Sequence, residues 1–134
     1  MDPIRLSVGS RDAILDALTG RIDAGGAGSI RLYAGPMPAD PDLAPTAQLL
    51  ATVALSPAAF MPSVDGLAEA GPIEPGTAMR AGVIRWARIV NGGGEVVFDC
   101  SVGTDNAVVV MNTTETFVGA PVVLRAFKLR AEAG

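Results

Sequence analysis

Histidine is absent from this 134-residue chain, and cysteine occurs once, as Cys100. The first absence excludes Ser-His-Asp and Cys-His catalysis and histidine-based zinc sites. The second excludes an intrachain disulfide and a thiolate metal cluster within one chain. Aromatic residues make up 4% of the chain: Tyr33, Phe60, Trp86, Phe98, Phe117 and Phe127. Several fall on apolar strand faces, where core packing takes them up, so a sugar-binding cleft built on aromatic platforms is not expected. The chain is 49% hydrophobic, with mean hydropathy +0.39. Even so, no apolar run approaches the ~18 residues of a membrane span, so no membrane partner is expected. Net charge is −4, which opposes nucleic-acid binding because phosphate recognition needs a concentrated basic surface. Arg125, Lys128 and Arg130 follow one another along a predicted strand and read as a solvated face.

What is present reads as a single domain over 1–134, long enough to stand without metal or disulfide staples. Residues 1–28 form an N-terminal helical segment and 29–130 the β portion. The opening "MDPIRLSVGS" has neither a basic n-region nor a long apolar stretch, so synthesis and folding are expected in the cytoplasm. In "SRDAILDALTGRIDAGGAG", Ser10 is the expected helix cap, Asp12 suits the positive end of the dipole, and Ile14, Leu15, Leu18 and Ile22 form an apolar stripe. Gly25 and Gly26 supply the stop. The short glycine link that follows favours a helix packed on its own chain over one that docks on a neighbour.

From Ser29 the period changes to two. In "SIRLYAG", Ile30 and Leu32 face one way and Arg31 and Tyr33 the other; in "QLLATVAL", Leu49, Ala51, Val53 and Leu55 share a face. The segment "SPAAFMPSVDGLAEAGPIEPG" is broken by Pro57, Pro62, Pro72 and Pro75 and reads as irregular, with a short edge strand around Phe60 to Val64. Val83, Ile84, Trp86, Ile89 and Val90 form a strand, "NGGG" a hairpin turn, and Val96, Phe98, Cys100 and Val102 alternate against Val97, Asp99 and Ser101. "AVVVMN" and "PVVLRAFKLRA" add two more strands. One helix followed only by strands predicts a mainly β fold, an antiparallel β-sandwich of jelly-roll or immunoglobulin-like type with six to eight strands.

The motifs that suggest chemistry reduce to structure. "NGGGEV" lacks the Lys-Ser/Thr of a phosphate loop and lies between strands. Asp40 and Asp42 in "ADPDL" are two carboxylates where calcium wants six to eight oxygens, so turn formation is their expected role and no metal is expected. Cys100 shares a strand face with Phe98 and Val102 and reads as a buried small side chain. No nucleophile, base or cofactor loop emerges, so neither an enzyme nor a cofactor is expected.

The strand texts "IRLYAGPMPA", "LLATVALS", "RWARIVNGGGEVVFDCSVG" and "MNTT" occur in an order that resembles a family of small phage and prophage proteins. Members read as a helix, an "IYTG-x-x-P" strand and turn, a "LLATL-x-L" strand and a "FR-x-x-D-x-x-G-x-x-x-x-D-G-S-V-G" hairpin. The likeness runs from about Ser10 to Lys128. Cys100 stands where glycine is usual, Ala34 where threonine is usual, and Asn91 where aspartate is common. The resemblance implies a virion structural protein, foremost a decoration or cement protein on the outer shell of a tailed phage's major capsid protein. A tail or neck component and a non-virion binding module are the alternatives. Self-association as a trimer or dimer suits a symmetric lattice.

Between the first two strands lies a loop carrying Pro36, Pro38, Asp40, Pro41, Asp42 and Pro45. Prolines lower the entropy a loop loses on binding, so Gly35 to Pro45 is either a preorganised contact loop or a rigid connector.

Overall fold

The structure, a computed structural model, describes residues 4–131. It is mainly β with one N-terminal helix. The helix α1 spans Val8–Ile22 and is followed by β1 (Ser29–Tyr33), β2 (Leu49–Ala54), β3 (Leu67–Glu69), β4 (Gly76–Ala78), β5 (Gly82–Val83) and β6 (Trp86–Val90). Then come β7 (Val96–Gly103), β8 (Val109–Met111), β9 (Glu115–Thr116), β10 (Pro121–Val122) and β11 (Leu124–Arg130).

The helix begins earlier than its sequence suggests. Ser7, not Ser10, is the cap: its extended backbone lets Oγ accept from the Ser10 amide at 3.1 Å. Leu15, Thr19 and Ile22 are buried, whereas Ile14 is half exposed. The stop falls where the glycines predict, with Gly25 and Gly26 at φ 77° and 115°. A Cβ on Gly92, in the β6–β7 turn, would lie 2.6 Å from the carbonyl carbons of both Gly25 and Gly26. The two glycine turns therefore touch backbone to backbone, and this contact fixes the C-terminal end of α1 against the hairpin.

Nine strands form one sheet in the order β10-β4-β2-β1-β6-β7-β8-β11-β3, with β5 and β9 as a separate ribbon. Because β10 and β11 are parts of one run, 121–130, the sheet curls until the β4 and β8 sides are tied through Val123. The mainly β class with one helix is as expected; the strands number eleven among the described residues instead of six to eight, and nine of them lie in a single curled, mixed sheet, which does not confirm a two-sheet sandwich. Two predicted strands break because each changes partner. Val83–Val90 splits at Ile84–Arg85 between the β9 ribbon and β1, and the 121–131 run bends at Val123. The parallel contact is β7 with β8, two residue pairs long, made where the chain doubles back through Asn106 at φ 50°. A full parallel crossover needs a dozen or more residues, so a local bend of this kind escapes any strand-counting argument.

The core lies inside the curl. Ile30, Leu32, Ala51, Val53, Ala87, Ile89 and Phe127 meet there with Leu15 and Ile22 of the helix. The β1–β2 register slips between Leu32 and Tyr33, which pair with Ala51 and Leu49. The skipped residue, Leu50, is fully buried, an outcome that strict alternation does not give. Phe60 packs edge-on against Phe127 at 4.8 Å, and Phe98 lies 6.3 Å from the same ring.

Candidate functional site

The outer face of the sheet is also covered around β6, whose five residues are all buried, while Arg31 of β1 and Ser101 of β7 stay exposed. Registers place Tyr33 beside Trp86 and Arg88 beside Asp99 on this face. Tyr33 stacks on Trp86, with ring centroids 4.5 Å apart and planes inclined by 13°. Arg88 donates from Nε to Asp99 Oδ1 at 2.7 Å and from Nη2 to Oδ2 at 3.0 Å, and its guanidinium lies 5.6 Å from the Trp86 ring centre. The two ionic side chains are 4% and 3% exposed. Hydrogen bonding to Asp99 raises the Arg88 pKa against the opposing effect of burial, and the charges of Asp99, Tyr33 and Asp42 add to the rise. Tyr33 and Asp99, expected on a solvent face, are therefore part of a second, polar-cored layer.

The proline loop lies over this layer. Its base is closed by the Ala34 amide donating to the Gln48 carbonyl at 3.0 Å. At its tip the Asp40 side chain accepts from the Asp42 amide at 2.8 Å and the Asp40 carbonyl accepts from the Leu43 amide at 3.0 Å. Pro41 thus occupies the second position of a turn, where its fixed φ is favoured. Pro41, Asp42 and Pro45 line a shallow cleft of about 480 Å³ with Arg21, Arg88 and Glu95. Pro36, Asp40, Pro41 and Asp42 remain exposed, while Pro38 and Pro45 are half-buried. The six residues singled out by sequence therefore share one loop that is exposed along most of its length and borders its own sheet at the cleft beside Arg88. Asp40 and Asp42 act here as turn formers, and among the described residues no cluster of three or more His, Cys, Asp or Glu could hold a metal.

A second irregular segment, 56–66, is held differently. Three aspartates of α1 and its cap accept its backbone amides: Asp23 from Ala59 at 3.3 Å, Asp16 from Ser63 at 2.9 Å and Asp12 from Gly66 at 2.8 Å. The Ser63 hydroxyl also donates to Asp16, and these bonds hold the Asp16 carboxyl below its usual pKa. Asp12 therefore serves the neighbouring segment and not the helix dipole. Asp65 and Gly66, at φ 53° and 75°, turn the chain between Val64 and Leu67, which bridge each other. This is a two-residue hairpin, and "DG" between apolar residues was the available signal. The spacing of Asp12 and Asp16, one helical turn apart, was the signal for the clamp.

Cys100 is buried at 7% exposure, and its thiol is pushed up to about 12, first by burial and then by the Asp99 charge. It is not poised as a nucleophile. Asn91 shapes the β6–β7 turn: its Oδ1 accepts from the Gly93 and Glu95 amides at 3.0 and 2.9 Å. Comparison with protein-family models, with curated proteins and with solved structures finds no match to this chain.

Proposed function

We propose that this protein is a structural component of a tailed-phage particle, a decoration or cement protein that binds the outer shell of the major capsid protein and stabilises it. The observation that carries this reading is the braced proline loop, tied at its base and tip and presenting Pro36, Asp40, Pro41 and Asp42 outward from a firm sheet face. A loop already held in one shape gives up little entropy when it docks, so a modest contact repeated over a lattice suffices for binding. The resemblance of the motif order to that of small phage and prophage proteins supports the same reading.

The sheet also favours contacts through loops and side chains over strand addition. One end of the strand order runs on into β11, and at the other β3 is flanked by the Phe60–Val64 arm. Copy number tests the reading. Quantitative mass spectrometry of purified particles is expected to give a stoichiometry near that of the shell subunit. A few copies per particle would move the protein to the tail or neck, and its absence would overturn the virion role. Replacing Pro38, Pro41 and Pro45 together by glycine is expected to weaken particle binding while the fold persists; unchanged binding would exclude this loop as the contact.

A further inference from the structure

Of the chain's three asparagines, Asn106 and Asn112 precede alanine and threonine, whereas Asn91 precedes Gly92. That neighbour matters chemically. A backbone nitrogen can attack the side-chain amide of the asparagine before it, and glycine, with no Cβ, hinders the attack least. The N–Cγ bond forms, the Cγ–Nδ2 bond breaks and ammonia leaves with the proton of the attacking amide. Water then opens the succinimide to aspartate or to isoaspartate, in which the main chain runs through the side-chain carbon.

The fold restrains both reacting groups. Asn91 is 4% exposed, its Oδ1 is held by the Gly93 and Glu95 amides, and its Nδ2 donates to Glu95 Oε1 at 3.4 Å. Its backbone is fixed too, the amide donating to the Glu95 carbonyl at 2.9 Å and the carbonyl accepting from the Gly94 amide at 3.0 Å. The end of α1 supplies the rest. Gly92 packs on the Gly25–Gly26 backbone, a Cβ on Gly25 would lie 2.8 Å from the Gly93 nitrogen, and Arg21 in the last helical turn reaches Glu95 at 3.6 Å. Ring closure requires the Gly92 peptide to turn about the Asn91 Cα–C bond, which hydrogen bonds on one side and packed backbone on the other oppose.

We propose that Asn91 is a modification site gated by α1, inert while the glycine stop is docked on the β6–β7 turn and deamidated when that contact opens. Only water is consumed. Aspartate keeps an acceptor for the turn amides but sets its charge against Glu95; isoaspartate adds a backbone carbon to a turn with no space for it and cannot reseat the helix end. A transient local opening thereby becomes a permanent one. This is a property of the chain alone and stands whether or not the protein occupies a phage shell.

Peptide mapping that detects isoaspartate, after incubation of the full chain in warm, mildly alkaline buffer, tests it. Conversion at Asn91 is expected to be at least tenfold slower in the folded protein than in guanidinium chloride. At denaturant concentrations below the unfolding transition, its rate is expected to rise with hydrogen exchange at the Ala24 and Gly26 amides, which close the end of α1, and not with exchange at Ile30 and Ile89 in the sheet. Gly25→Ala, which presses a methyl group on Gly93, is expected to speed conversion several-fold with the sheet amides still protected. A folded protein that converts at Asn91 as fast as the unfolded chain would overturn the proposal. So would conversion that follows the sheet amides instead of the helix end.

Discussion

Segments 35–48 and 56–66 look alike as sequence, each broken by prolines and short of regular hydrophobic spacing, yet the fold holds them by different means. The second is fastened from outside, by three carboxylates placed along α1 that accept its Ala59, Ser63 and Gly66 amides, and it sends Phe60 into the core against Phe127. The first is fastened from within, by the Ala34–Gln48 closure and the Asp40 turn, while Met37 and Leu43 stay 42% and 53% exposed. Proline content alone does not say whether a loop is anchored. What decides is whether a neighbouring element offers acceptors for the amides that irregular backbone leaves free.

The largest effect is expected beneath the first segment. Asp99→Ala leaves the Arg88 guanidinium buried without its partner, and should cost about 3 kcal/mol or more in urea unfolding. Replacing both members by well-packed apolar residues should cost far less, because no charge is then left unpaired.

Next comes the support of the second segment. Gly92→Ala forces a methyl group against the Gly25–Gly26 backbone and is expected to cost about 1–3 kcal/mol, typical of overpacking. It should shift α1, so that hydrogen exchange quickens at Ser63 and Gly66 while the Asp42 and Leu43 amides are unaffected. Equal quickening in both segments would show that they are not held independently.

A smaller, pH-dependent effect separates them further. Ser63 lowers the Asp16 pKa in the folded state, so the stability Asp16 contributes is complete above its unfolded value of 3.8 and is lost as pH falls through the folded one. Acidification below about pH 4 should therefore loosen 56–66. Asp16→Asn should remove that part of the pH dependence, read from the Ser63 amide signal. The smallest effect is expected from proline in the first segment, where each Pro→Gly change in 35–48 should lower stability by about 1 kcal/mol or less, acting through the freedom of the unfolded chain.

Much of this molecule is legible in its sequence. The helix with its glycine stop, the strand pairs on either side of "NGGG" and the inward set Ile30, Leu32, Ala51 and Val53 all follow from period and turn chemistry, which act between near neighbours. The buried thiol follows as well, since Cys100 shares its strand face with apolar residues. The candidate loop is visible as a loop, with Asp40 and Pro41 as turn formers. The parts that escape depend on a second layer. Period-two alternation marks Tyr33 and Asp99 as outward-facing, and outward they are, but the outer face around β6 is itself covered.

Sequence by itself determined the local periods, the turns and the absence of histidine chemistry, because these depend on residue type and on separations of a few positions. Only tertiary structure decided that one run of strand would bend at Val123 and tie the sheet to itself, that α1 would spend its aspartates on a distant segment, and that two glycine turns would meet. Each of those outcomes depends on chain segments tens of residues apart arriving at the same place, where burial gives a polar group reason to find a partner and a missing Cβ lets two backbones touch.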